Sequence, residues 1–464
     1  MKITFVGAAR TVTGSCYHIQ TKNVNILVDC GTFQGTRNNE KRNVSPFPFK
    51  ASEIQYLLLT HAHLDHSGLI PKLVKDGFKG NILTTRATVD LCGVMLLDSA
   101  HIQERDAEWE NKRRIRAGKP LIKPLYTIQE AIDSISYFQG VNYNETIDLG
   151  NGVKIRFQDA GHILGSAIVE LWVKEDIWEK KLIFSGDLGQ KNLPLIKDLT
   201  PIEEGDFVFI ESTYGNRRHK GIKETIDEFG EAVSESLKRG GNVVIPSFAV
   251  GRTQDILYIL NRLSREGKLN QPKVFVDSPM ALQATRITVK HPECLDKETL
   301  ALLKEENFFK NTPIVKFTES VEDSIEINKI KNGAIIISSS GMCEAGRIRH
   351  HLKHNLWRSE CSVIFVGFQA QGTLGRKIIE GDKKVRIFGE EIAVKARIYT
   401  IGGLSAHADR DELLDWLSKF KKKPQRVFII HGEEDTALGF AETIQNQLNL
   451  DTYVPSTLEA IQIL

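Results

Sequence analysis

The stretch L-L-L-T-H-A-H-L-D-H-S-G spans residues 57–68 and places three histidines and one aspartate within six positions. The apolar run Ile54–Leu59, which ends at this cluster, predicts a buried strand, and the apolar Leu69–Val74 behind it predicts the first turns of a helix. Sheets of α/β proteins form their sites at the carboxyl ends of strands. We therefore expect a functional site in this loop.

Imidazole and carboxylate groups together are typical ligands of zinc. His61 and His63 are two residues apart, so their side chains point the same way on an extended backbone. Asp65 and His66 lie at the turn into the helix and can point to a second position nearby. The loop therefore predicts ligands for two adjacent metal ions. A chance cluster of solvated histidines is the alternative, and it does not account for the flanking strand and helix.

The composition is that of a globular protein with a local rather than a global charge pattern. The chain has 464 residues, 41% of them hydrophobic, which is enough for two or three domains with real cores. The formal net charge is +2, so any site for a polyanion must be a local patch. The six cysteines lack C-x-x-C spacing and no signal peptide opens the sequence, so we expect reduced thiols and a cytoplasmic location. No apolar run reaches transmembrane length, which predicts no membrane partner.

Strand patterns alternate with helix patterns along the chain, which predicts an α/β protein. The pattern restarts at Glu203–Asp206 and gives a second series of strand–helix units, consistent with a parallel sheet of its own. Residues 385–391 and 392–401 are predicted to form two strands that lead back to the first domain. After about residue 400 the pattern of the first part returns, in which a strand is followed by a histidine. We therefore predict an insertion: residues 1–205 form the first part of one domain, 206–400 the inserted domain, and 401–464 the completion of the first domain.

Further polar residues follow predicted strands outside the opening loop. They are Asp29, His162, Asp187, Glu211 and His431, and any one of them alone would more often be structural. With the loop, the candidate metal ligands are His61, His63, Asp65, His66, His162, Asp187 and His431. Seven groups are too many for one tetrahedral ion and suit two. Two ions about 3.5–4 Å apart can clamp the attacking and leaving oxygens of a phosphodiester.

With these residues in place, the sequence resembles the metallo-β-lactamase superfamily and its β-CASP ribonuclease branch. The superfamily motifs that match are H-A-H-L-D-H at 61–66, His162, Asp187 and, as the first motif, Asp29. The β-CASP motifs that match are E-S-T-Y-G at Glu211, S-A-H at His407 and H-G-E at His431. The resemblance covers essentially the whole chain and is strongest to the bacterial and archaeal relatives of the cleavage and polyadenylation specificity factor endonuclease. It implies an α/β fold in which a metallo-β-lactamase αββα sandwich carries an inserted β-CASP domain, a parallel sheet flanked by helices.

The resemblance also implies two zinc ions per chain. His61, His63 and His162 would hold one ion and Asp65, His66 and His431 the other, with Asp187 and a hydroxide bridging them. Asp29 would orient the metal loop from outside the ligand set.

The resemblance implies catalytic roles as well. The bridging hydroxide would attack phosphorus, and Asp65 and Asp187 would serve catalysis through the metals that they hold. His407 would be the general acid at the leaving oxygen, with Glu211 holding its tautomer and charge. His431 favours RNA as the substrate, because the DNA-directed branch of the family tends to have an apolar residue at that position.

Residues that could bind substrate phosphates carry a weaker signal. The run S-S-S-G-M-C at 338–343 is predicted to pass from a strand directly into a helix, where free N–H groups could bind a phosphate oxygen. In Gly372–Arg376 the glycines allow a phosphate to come close to the backbone, and the Arg376 guanidinium could make a bidentate contact with it. Ser405, two residues before His407, could hydrogen-bond the phosphate that is cleaved. Tight packing at strand–helix turns is the alternative. Given the resemblance, we favour substrate binding by Ser405, Arg376, Ser339, Ser340 and Gly341.

Two basic segments are open to more than one interpretation. The run N-K-R-R-I-R-A-G-K-P at Asn111–Pro120 is predicted to be a loop, either solvated or touching the substrate. His350, His351 and His354 share a predicted helix with Arg347. No acidic residue accompanies these histidines, so the pattern indicates a basic face, solvated or in contact with RNA, rather than a metal site.

We therefore expect a zinc-dependent ribonuclease that cleaves single-stranded RNA as an endonuclease, with 5′→3′ exonuclease activity as a second mode, in RNA processing or decay. An RNA-binding scaffold without catalysis would have lost metal ligands, and a thioesterase or lactonase on the same sandwich would generally lack the inserted domain. RNA is the predicted partner, and a homodimer is an assembly that the sequence leaves open.

Overall fold

A computed structural model describes residues 1–35, 37–270, 272–304, 315–367, 369 and 371–463. They form two compact units. Unit 1 comprises Met1–Lys191, Asp198–Arg218 and His407–Leu464, and unit 2 comprises Asn192–Lys197 and His219–Ala406. Unit 1 is thus discontinuous in the sequence, as an insertion requires. The predicted domain limits at residues 205 and 400 lie somewhat before the changes of unit at 218 and 406 and stay a prediction.

The strands among the described residues are, in chain order, β1 (Lys2–Gly7), β2 (Cys16–Gln20), β3 (Asn25–Val28), β4 (Tyr56–Leu58), β5 (Asn81–Thr85), β6 (Phe138–Val141), β7 (Thr146–Gly150), β8 (Val153–Asp159), β9 (Ala167–Glu175), β10 (Trp178–Phe184), β11 (Phe207–Glu211), β12 (Val243–Pro246), β13 (Lys273–Asp277), β14 (Val315–Phe317), β15 (Ala334–Ser338), β16 (Ser362–Phe365), β17 (Lys384–Ile387), β18 (Glu390–Ala393), β19 (Arg397–Thr400), β20 (Arg426–Ile430), β21 (Thr452–Tyr453) and β22 (Ala460–Gln462).

The α-helices within the same residues are α1 (Arg37–Val44), α2 (Leu64–Ser67), α3 (Ile70–Lys75), α4 (Arg86–Arg116), α5 (Ile128–Ile135), α6 (Ile222–Lys238), α7 (Arg252–Arg265), α8 (Pro279–Lys290), α9 (Lys297–Lys304), α10 (Val321–Ile327), α11 (Ile348–Asn355), α12 (Leu374–Ile379), α13 (Arg410–Ser418) and α14 (Glu434–Leu448).

Two seven-stranded sheets build unit 1, in the orders β22-β1-β2-β3-β4-β5-β6 and β21-β20-β11-β10-β9-β8-β7. Each sheet has a parallel half, β3 to β6 in the first and β10, β11, β20 and β21 in the second. Strand β20 comes from the end of the chain, yet it pairs with β11 from Phe207↔Arg426 to Glu211↔Ile430. The C-terminal segment therefore completes a sheet that the N-terminal segment begins.

Aromatic and aliphatic side chains fill the space between the two sheets. Phe184, Phe209 and Phe428 stack across adjacent strands of the second sheet with ring centroids 4.2 and 4.7 Å apart, and Phe5 of the first sheet lies 6.1 Å from Phe209. Leu413 of α13 and its neighbours on α14 cover the outer face of the second sheet. Strands buried on both faces are apolar throughout rather than alternating. The predicted αββα sandwich is confirmed.

Unit 2 is built on a six-stranded sheet in the order β14-β13-β15-β12-β16-β19, and all of its pairs are parallel. Helix α11 packs against it through Ile348 and Leu352, which meet Val244 and Ile336 in one buried cluster. The predicted parallel sheet with flanking helices is confirmed.

The predicted loop over Asn111–Pro120 is wrong for most of its length. Helix α4 has 31 residues and continues to Arg116, so residues 111–116 are helical. No glycine or proline interrupts this run before Gly118. The arginines in the last turn also complement the helix dipole.

The predicted return to the first domain through strands at 385–391 and 392–401 is also wrong. The segment forms three strands, and the hairpin β17–β18 turns at Phe388 and Gly389, both with positive φ. Strand β19 then pairs with β16 and stays in unit 2. Gly389 is the only residue typical of turns between Val385 and Ala393, so the sequence pattern did not show where the first strand ends.

In the part of the chain that the structure describes, no helix is both long and apolar enough to cross a membrane. All six cysteines lie in that part, and they are buried free thiols, as predicted.

Candidate metal centre

The strand ends of unit 1 carry the predicted metal ligands. The segment 61–66 follows β4, His162 lies between β8 and β9, Asp187 follows β10, and His431 follows β20. The parallel halves of both sheets contribute, and loops at the carboxyl ends of parallel strands are where α/β proteins assemble their sites. The structure brings all seven predicted ligands together in two adjoining clusters.

The first cluster consists of His61, His63, His162 and Asp187, whose ligand atoms lie within 4.8 Å of one another. His61 Nε2 lies 3.1 Å from His63 Nδ1 and 3.5 Å from Asp187 Oδ2. His162 Nε2 lies 3.2 Å from His63 Nδ1 and 3.6 Å from Asp187 Oδ2. Three ring nitrogens and one carboxylate oxygen therefore face a common point.

The second cluster consists of Asp65, His66 and His431. The Nε2 atoms of His66 and His431 are 3.2 Å apart, and Asp65 Oδ2 lies 3.6 Å from His431 Nε2. The other oxygen of Asp187, Oδ1, is 3.3 Å from His66 Nε2. Asp187 thus turns one oxygen to each cluster, as a bridging ligand must.

The donor set fits metal ions of the zinc type. Zinc–ligand bonds of 2.0–2.2 Å in a tetrahedron separate the ligand atoms by roughly 3.4 Å, and the spacings just given run from 3.1 to 3.6 Å. Asp187 Oδ1 is also buried without a hydrogen-bond partner among the described residues. Such an oxygen is costly to bury, and a cation beside it removes the cost.

Opposing effects set the charges of this centre. Burial lowers the pKa of His61 well below its usual range, and the neighbouring His66 lowers it further. Burial also opposes the charged form of His66, but the carboxylates of Asp187 and Asp29 outweigh it and raise the pKa well above the usual value. Burial alone would raise the pKa of Asp187, but the surrounding imidazoles, His431 foremost, hold it far below its ordinary value. The carboxylate is therefore ionised, as a metal ligand has to be.

Asp29 holds the metal loop in place through contacts with His66 and Thr60. Its Oδ2 lies 2.7 Å from His66 Nδ1, and its Oδ1 accepts the backbone N–H of Thr60 at 2.8 Å. The Thr60 hydroxyl donates to Asp29 Oδ2 at 3.0 Å and lies 3.0 Å from His61 Nδ1. A partner on the far ring nitrogen fixes which nitrogen faces the metal. The structure places Asp29 beside the loop, and its predicted role stays a prediction. Sequence reasoning missed Thr60, although this residue directly precedes His61.

His431 is oriented by a second threonine that sequence reasoning missed. The hydroxyl of Thr213 lies 3.2 Å from His431 Nδ1, and the His431 backbone N–H donates to Ala8 O at 2.7 Å. His431 has φ of 46°, a left-handed conformation that is unusual for a residue with a side chain. Thr213 belongs to E-S-T-Y-G, so the motif supplies both Glu211 and a support for a candidate ligand.

His407 and Glu211 form a pair beside the clusters. His407 Nδ1 lies 3.2 Å from Glu211 Oε1 and 4.0 Å from Asp187 Oδ2. Burial disfavours the charged imidazole, but the Glu211 carboxylate outweighs it and raises the pKa of His407 to about 9. Glu211 and Asp187 also form a ligand-like group with His431. Because Glu211 already accepts the Leu188 N–H at 2.7 Å as well as contacting His407, we assign it to the pair rather than to a metal.

The position of His407 is fixed from both sides. Ala408 N–H donates to Leu188 O at 2.7 Å, which ties the segment to the loop behind Asp187. Asp409 and Glu412 form a reciprocal capping box that starts α13 two residues later. A Cβ at Gly189 in that loop would lie 1.7 Å from Gly161 O, so only glycine permits this approach to the loop of His162.

Ser339, Ser340 and Gly341 lie in unit 2 in a loop, and the predicted direct passage from strand into helix is wrong. Strand β15 ends at Ser338 and α11 begins at Ile348. Within the loop, Ser340 N–H donates to Ala345 O at 3.2 Å and Ser339 Oγ donates to Ser278 Oγ at 2.9 Å. The Ser340 N–H, which the prediction left free for phosphate, is therefore used within the loop. Substrate binding by these three residues stays a prediction.

Arg376 and Ser405 also lie in unit 2, and their predicted roles stay predictions. Arg376 is on α12, where its guanidinium donates to Glu380 Oε1 at 2.7 Å. Ser405 is buried behind the 3₁₀ turn Gly402–Leu404. It is two residues from His407, yet the boundary between the units falls between them.

The predicted basic face of α11 is wrong for two of its members. Arg347 and His351 turn inwards and donate to the buried Asp277, from Nη1 to Oδ1 and from Nε2 to Oδ2, each at 2.7 Å. Ser324 and Thr318 also donate to this carboxylate, at 2.6 and 2.5 Å. Burial alone would raise the pKa of Asp277, but these hydrogen bonds, led by that of His351, lower it strongly. The network ties α11 and α10 to the end of β13.

Replacing Asp277 by Asn should lower the free energy of unfolding by about 3 kcal/mol, because it leaves Arg347 and His351 without their charged partner. The folded pKa of Asp277 is depressed, so the effect should be constant above about pH 4, the usual Asp range. The destabilisation caused by Asp277→Asn should become smaller as the pH falls below that value, because Asp277 of the wild type then becomes protonated and no longer stabilises the fold. Calorimetric unfolding of the whole chain at a series of pH values measures both the size of the destabilisation and its dependence on pH.

Asp255 in the same unit is a matched control. Its carboxylate lies 3.1 Å from Arg252 Nη1, but burial raises its pKa to about 6. The charged form is therefore costly at pH 7, and Asp255→Asn should change stability by less than about 1 kcal/mol. The contribution of Asp255 to wild-type stability should increase as the pH falls from about 6 towards 4, and Asp255→Asn should lack this increase. Equal losses in the two variants would contradict the opposite pKa shifts.

Three family models match the chain in succession. The metallo-β-lactamase superfamily model matches residues 9–217, the β-CASP domain model matches 253–378, and a model described as a Zn-dependent metallo-hydrolase RNA specificity domain matches 391–455.

Characterised relatives are similar over nearly the whole chain. Ribonuclease TTHA0252 of Thermus thermophilus is 36% identical, with 96% of each chain covered. Transcription termination factor FttA of Methanocaldococcus jannaschii is 31% identical over all of this chain and 72% of its own length. The factor of the same name from Pyrococcus abyssi is 32% identical over all of this chain and 71% of its own length.

A crystal structure of a protein of unknown function from Enterococcus faecalis V583 aligns with a TM-score of 0.57 and 12% identity over 99% of both chains, which shows the fold alone. The three family models, their order and the two relatives above 30% identity, covered over 96% and 72% of their own lengths, agree with the two-sheet fold and the assembled histidine clusters. The chain therefore belongs to the β-CASP branch of the metallo-β-lactamase superfamily.

Proposed function

We propose that this chain is a zinc-dependent ribonuclease that hydrolyses phosphodiester bonds of single-stranded RNA at a centre for two metal ions. The observation that carries the proposal is the position of Asp187, which faces both ligand clusters and lies 4.0 Å from His407. A small-molecule hydrolase has no evident need for this additional buried pair of His407 and Glu211. The proposed cleavage is internal, with 5′→3′ exonuclease activity as a second mode.

The side chains divide the work of hydrolysis. Zinc at the two clusters would supply an acidified water as the nucleophile and neutralise charge on the phosphate oxygens. Asp187 sets the spacing of the clusters, and Asp29 and Thr60 hold His61 and His66 in register. Glu211 accepts the Nδ1–H of His407, so Nε2 is the ring nitrogen that delivers a proton to the leaving oxygen. Burial of Glu211 keeps this orientation fixed.

The similarity findings support RNA as the substrate. One relative is named a ribonuclease, others are named transcription termination factors, and the third family model is described by RNA specificity. His431 completes the second cluster with Asp65 and His66. The family resemblance adds that a histidine at this position favours RNA, because the DNA-directed branch tends to have an apolar residue there. These findings favour an active nuclease over a silent scaffold, since every ligand position is filled.

A circular single-stranded RNA separates the proposed activities, because it has no ends. We expect the purified protein to linearise it and a chelator to reduce the rate at least about 10²-fold, with recovery on adding Zn²⁺. A circular DNA of the same sequence should be cleaved far more slowly. Metal analysis should find two equivalents of zinc per chain.

Each alternative gives a different result. Degradation of linear 5′-phosphorylated RNA while the circle stays intact would support exonuclease activity and contradict the proposed internal cleavage. Tight RNA binding with no zinc and no cleavage would indicate the scaffold. Turnover of a thioester or lactone without any RNA cleavage would replace the proposal with a small-molecule hydrolase.

A further inference from the structure

The end of helix α4 is an ordered surface that packs on no core. The helix has 31 residues and is about 46 Å long. Its last buried residue is Ala107, and from residue 108 to residue 123 every side chain is exposed or only partly covered. We call residues 109–123 the basic tip.

The basic tip is folded back on itself rather than frayed. The Asn111 side chain both donates to Ile122 O at 2.9 Å and accepts the Ile122 N–H at 2.8 Å. Arg114 Nη1 donates to Pro120 O at 2.9 Å, and Lys119 N–H donates to Arg114 O at 2.9 Å. These bonds order a segment that contributes no buried side chain, so its order does not arise from core packing.

The charge of the basic tip is concentrated and largely unpaired. Six cations stand against one carboxylate, Glu110, a net charge of +5 within 15 residues. Glu110 pairs with Arg113 and Arg114. The cations that form no ion pair with any described residue are Lys112, Arg116, Lys119 and Lys123.

Another basic run of the chain, Lys419–Arg426, is different. Three of its cations are paired, Lys419 with Asp415, Lys421 with Glu203 and Arg426 with Asp451. In that run three of five cations are paired, whereas in the basic tip only two of six are. Unpaired cations held close together repel each other unless an anion binds them.

An exposed aromatic ring lies among these cations. Trp109, Lys112, Arg113 and Arg116 have the i, i+3, i+4, i+7 spacing of one helix face. Trp109 is 63% exposed, and the Arg113 guanidinium lies 4.9 Å from its ring centroid. Cations that follow a backbone, with an aromatic face on which a base can stack, are the common elements of single-stranded nucleic-acid sites.

We propose that the basic tip is an accessory site for single-stranded RNA, remote from the metal centre and used by long substrates. The inference rests on the proposed ribonuclease function. Helix α4 joins the two places, because near its start Thr85 Oγ1 and Thr88 Oγ1 donate to Gly165 O in the loop that carries His162. Lys112 is 24 residues along the helix from Thr88, a separation of about 36 Å. A long RNA held at both places gains affinity that a short one cannot.

Exposed Ile115 and Leu121 also lie on the basic tip, and a protein partner or a second copy of this chain would use them. The charges favour RNA. Lysine is depleted at protein interfaces, and four cations without carboxylates would lose water there with no compensation.

The test compares two triple variants of the full chain. Lys112→Gln, Arg116→Gln and Lys119→Gln remove charge from the basic tip, and Lys79→Gln, Lys154→Gln and Lys174→Gln remove the same charge from scattered exposed sites of unit 1. Binding is measured by fluorescence anisotropy at several salt concentrations, with a hexanucleotide and with an RNA of about 30 nucleotides. The tip variant should bind the long RNA about tenfold more weakly, with a log–log salt slope smaller by about 2. The control should bind as the wild type does, and cleavage of the hexanucleotide should be unchanged in both.

A pair of single variants tests the aromatic ring. Trp109→Ala should weaken binding of the long RNA about tenfold, and Trp109→Phe should retain most of it, because phenylalanine keeps a stacking face. Equal losses in the tip and control variants, or none in either, would overturn the inference and leave the ribonuclease proposal standing. A change in oligomeric state by light scattering without a change in RNA binding would assign the tip to a second copy instead. No RNA binding or cleavage by the wild type would overturn the ribonuclease proposal itself.

Discussion

Asp187→Asn should abolish metal binding at both clusters and reduce RNA cleavage by roughly 10³-fold or more, the upper range for removing one preorganised electrostatic group. The carboxylate faces His61 and His162 with Oδ2 and His66 with Oδ1, so this one side chain contacts both clusters. The amide is of the same size but neutral, and its NH₂ group would face ring nitrogens or metal ions as a donor. Metal content by mass spectrometry of the purified variant, beside its cleavage rate, measures the result.

Glu170→Gln is the matched control for this prediction. Glu170 is as deeply buried as Asp187, and it lies on β9 in the same sheet, where Arg156 and Lys181 neutralise it. Removing the Glu170 charge should lower the free energy of unfolding and leave the metal content and the cleavage rate per folded molecule unchanged. If Asp187→Asn retained two metal equivalents, Asp187 would not be the bridge.

The sequence predicted those parts of the fold that local patterns encode. Strand ends followed by His or Asp pointed to all seven residues of the two clusters, because a polar residue that follows an apolar run can be recognised from the sequence alone. The αββα sandwich followed from the resemblance and the parallel sheet from the second series of strand–helix units, and both were confirmed. Two supports of these residues were not found: Thr60 and Thr213 are common residues whose role depends on which imidazole lies beside them.

Errors in the prediction have identifiable causes. Basic residues at 111–116 were assigned to a loop because runs of charged residues are usually exposed to solvent. The end of α4 is equally exposed, because the helix continues beyond its last buried residue, Ala107. Arg347 and His351 were assigned to a basic surface, and the buried acceptor that turns them inwards, Asp277, lies 70 and 74 residues away in the sequence. The passage from β15 into α11 was predicted without the loop between them, because the small residues at 338–341 are compatible with either a turn or a helix start.

His407→Ala should reduce cleavage about 10²–10⁴-fold, the usual contribution of a general acid, while both metal sites remain filled. The imidazole lies 4.0 Å from Asp187 but belongs to neither cluster, so its removal takes away a proton donor and no ligand. His101→Ala, which removes an exposed imidazole from α4, should have no effect. Glu211→Gln should have a smaller effect than His407→Ala, because the amide oxygen can still accept the Nδ1–H and hold the ring.

A substrate with sulfur in place of the bridging oxygen of the leaving group decides whether the lost function is proton transfer. A thiolate leaves without protonation, so this RNA should be cleaved at similar rates by the wild type and by His407→Ala. Asp187→Asn should remain inactive on it, because its defect precedes bond breaking. If the sulfur substrate were cleaved as poorly as normal RNA by His407→Ala, the imidazole would position the substrate rather than protonate it. The pair of His407 and Glu211 would then be a binding element beside the metal centre.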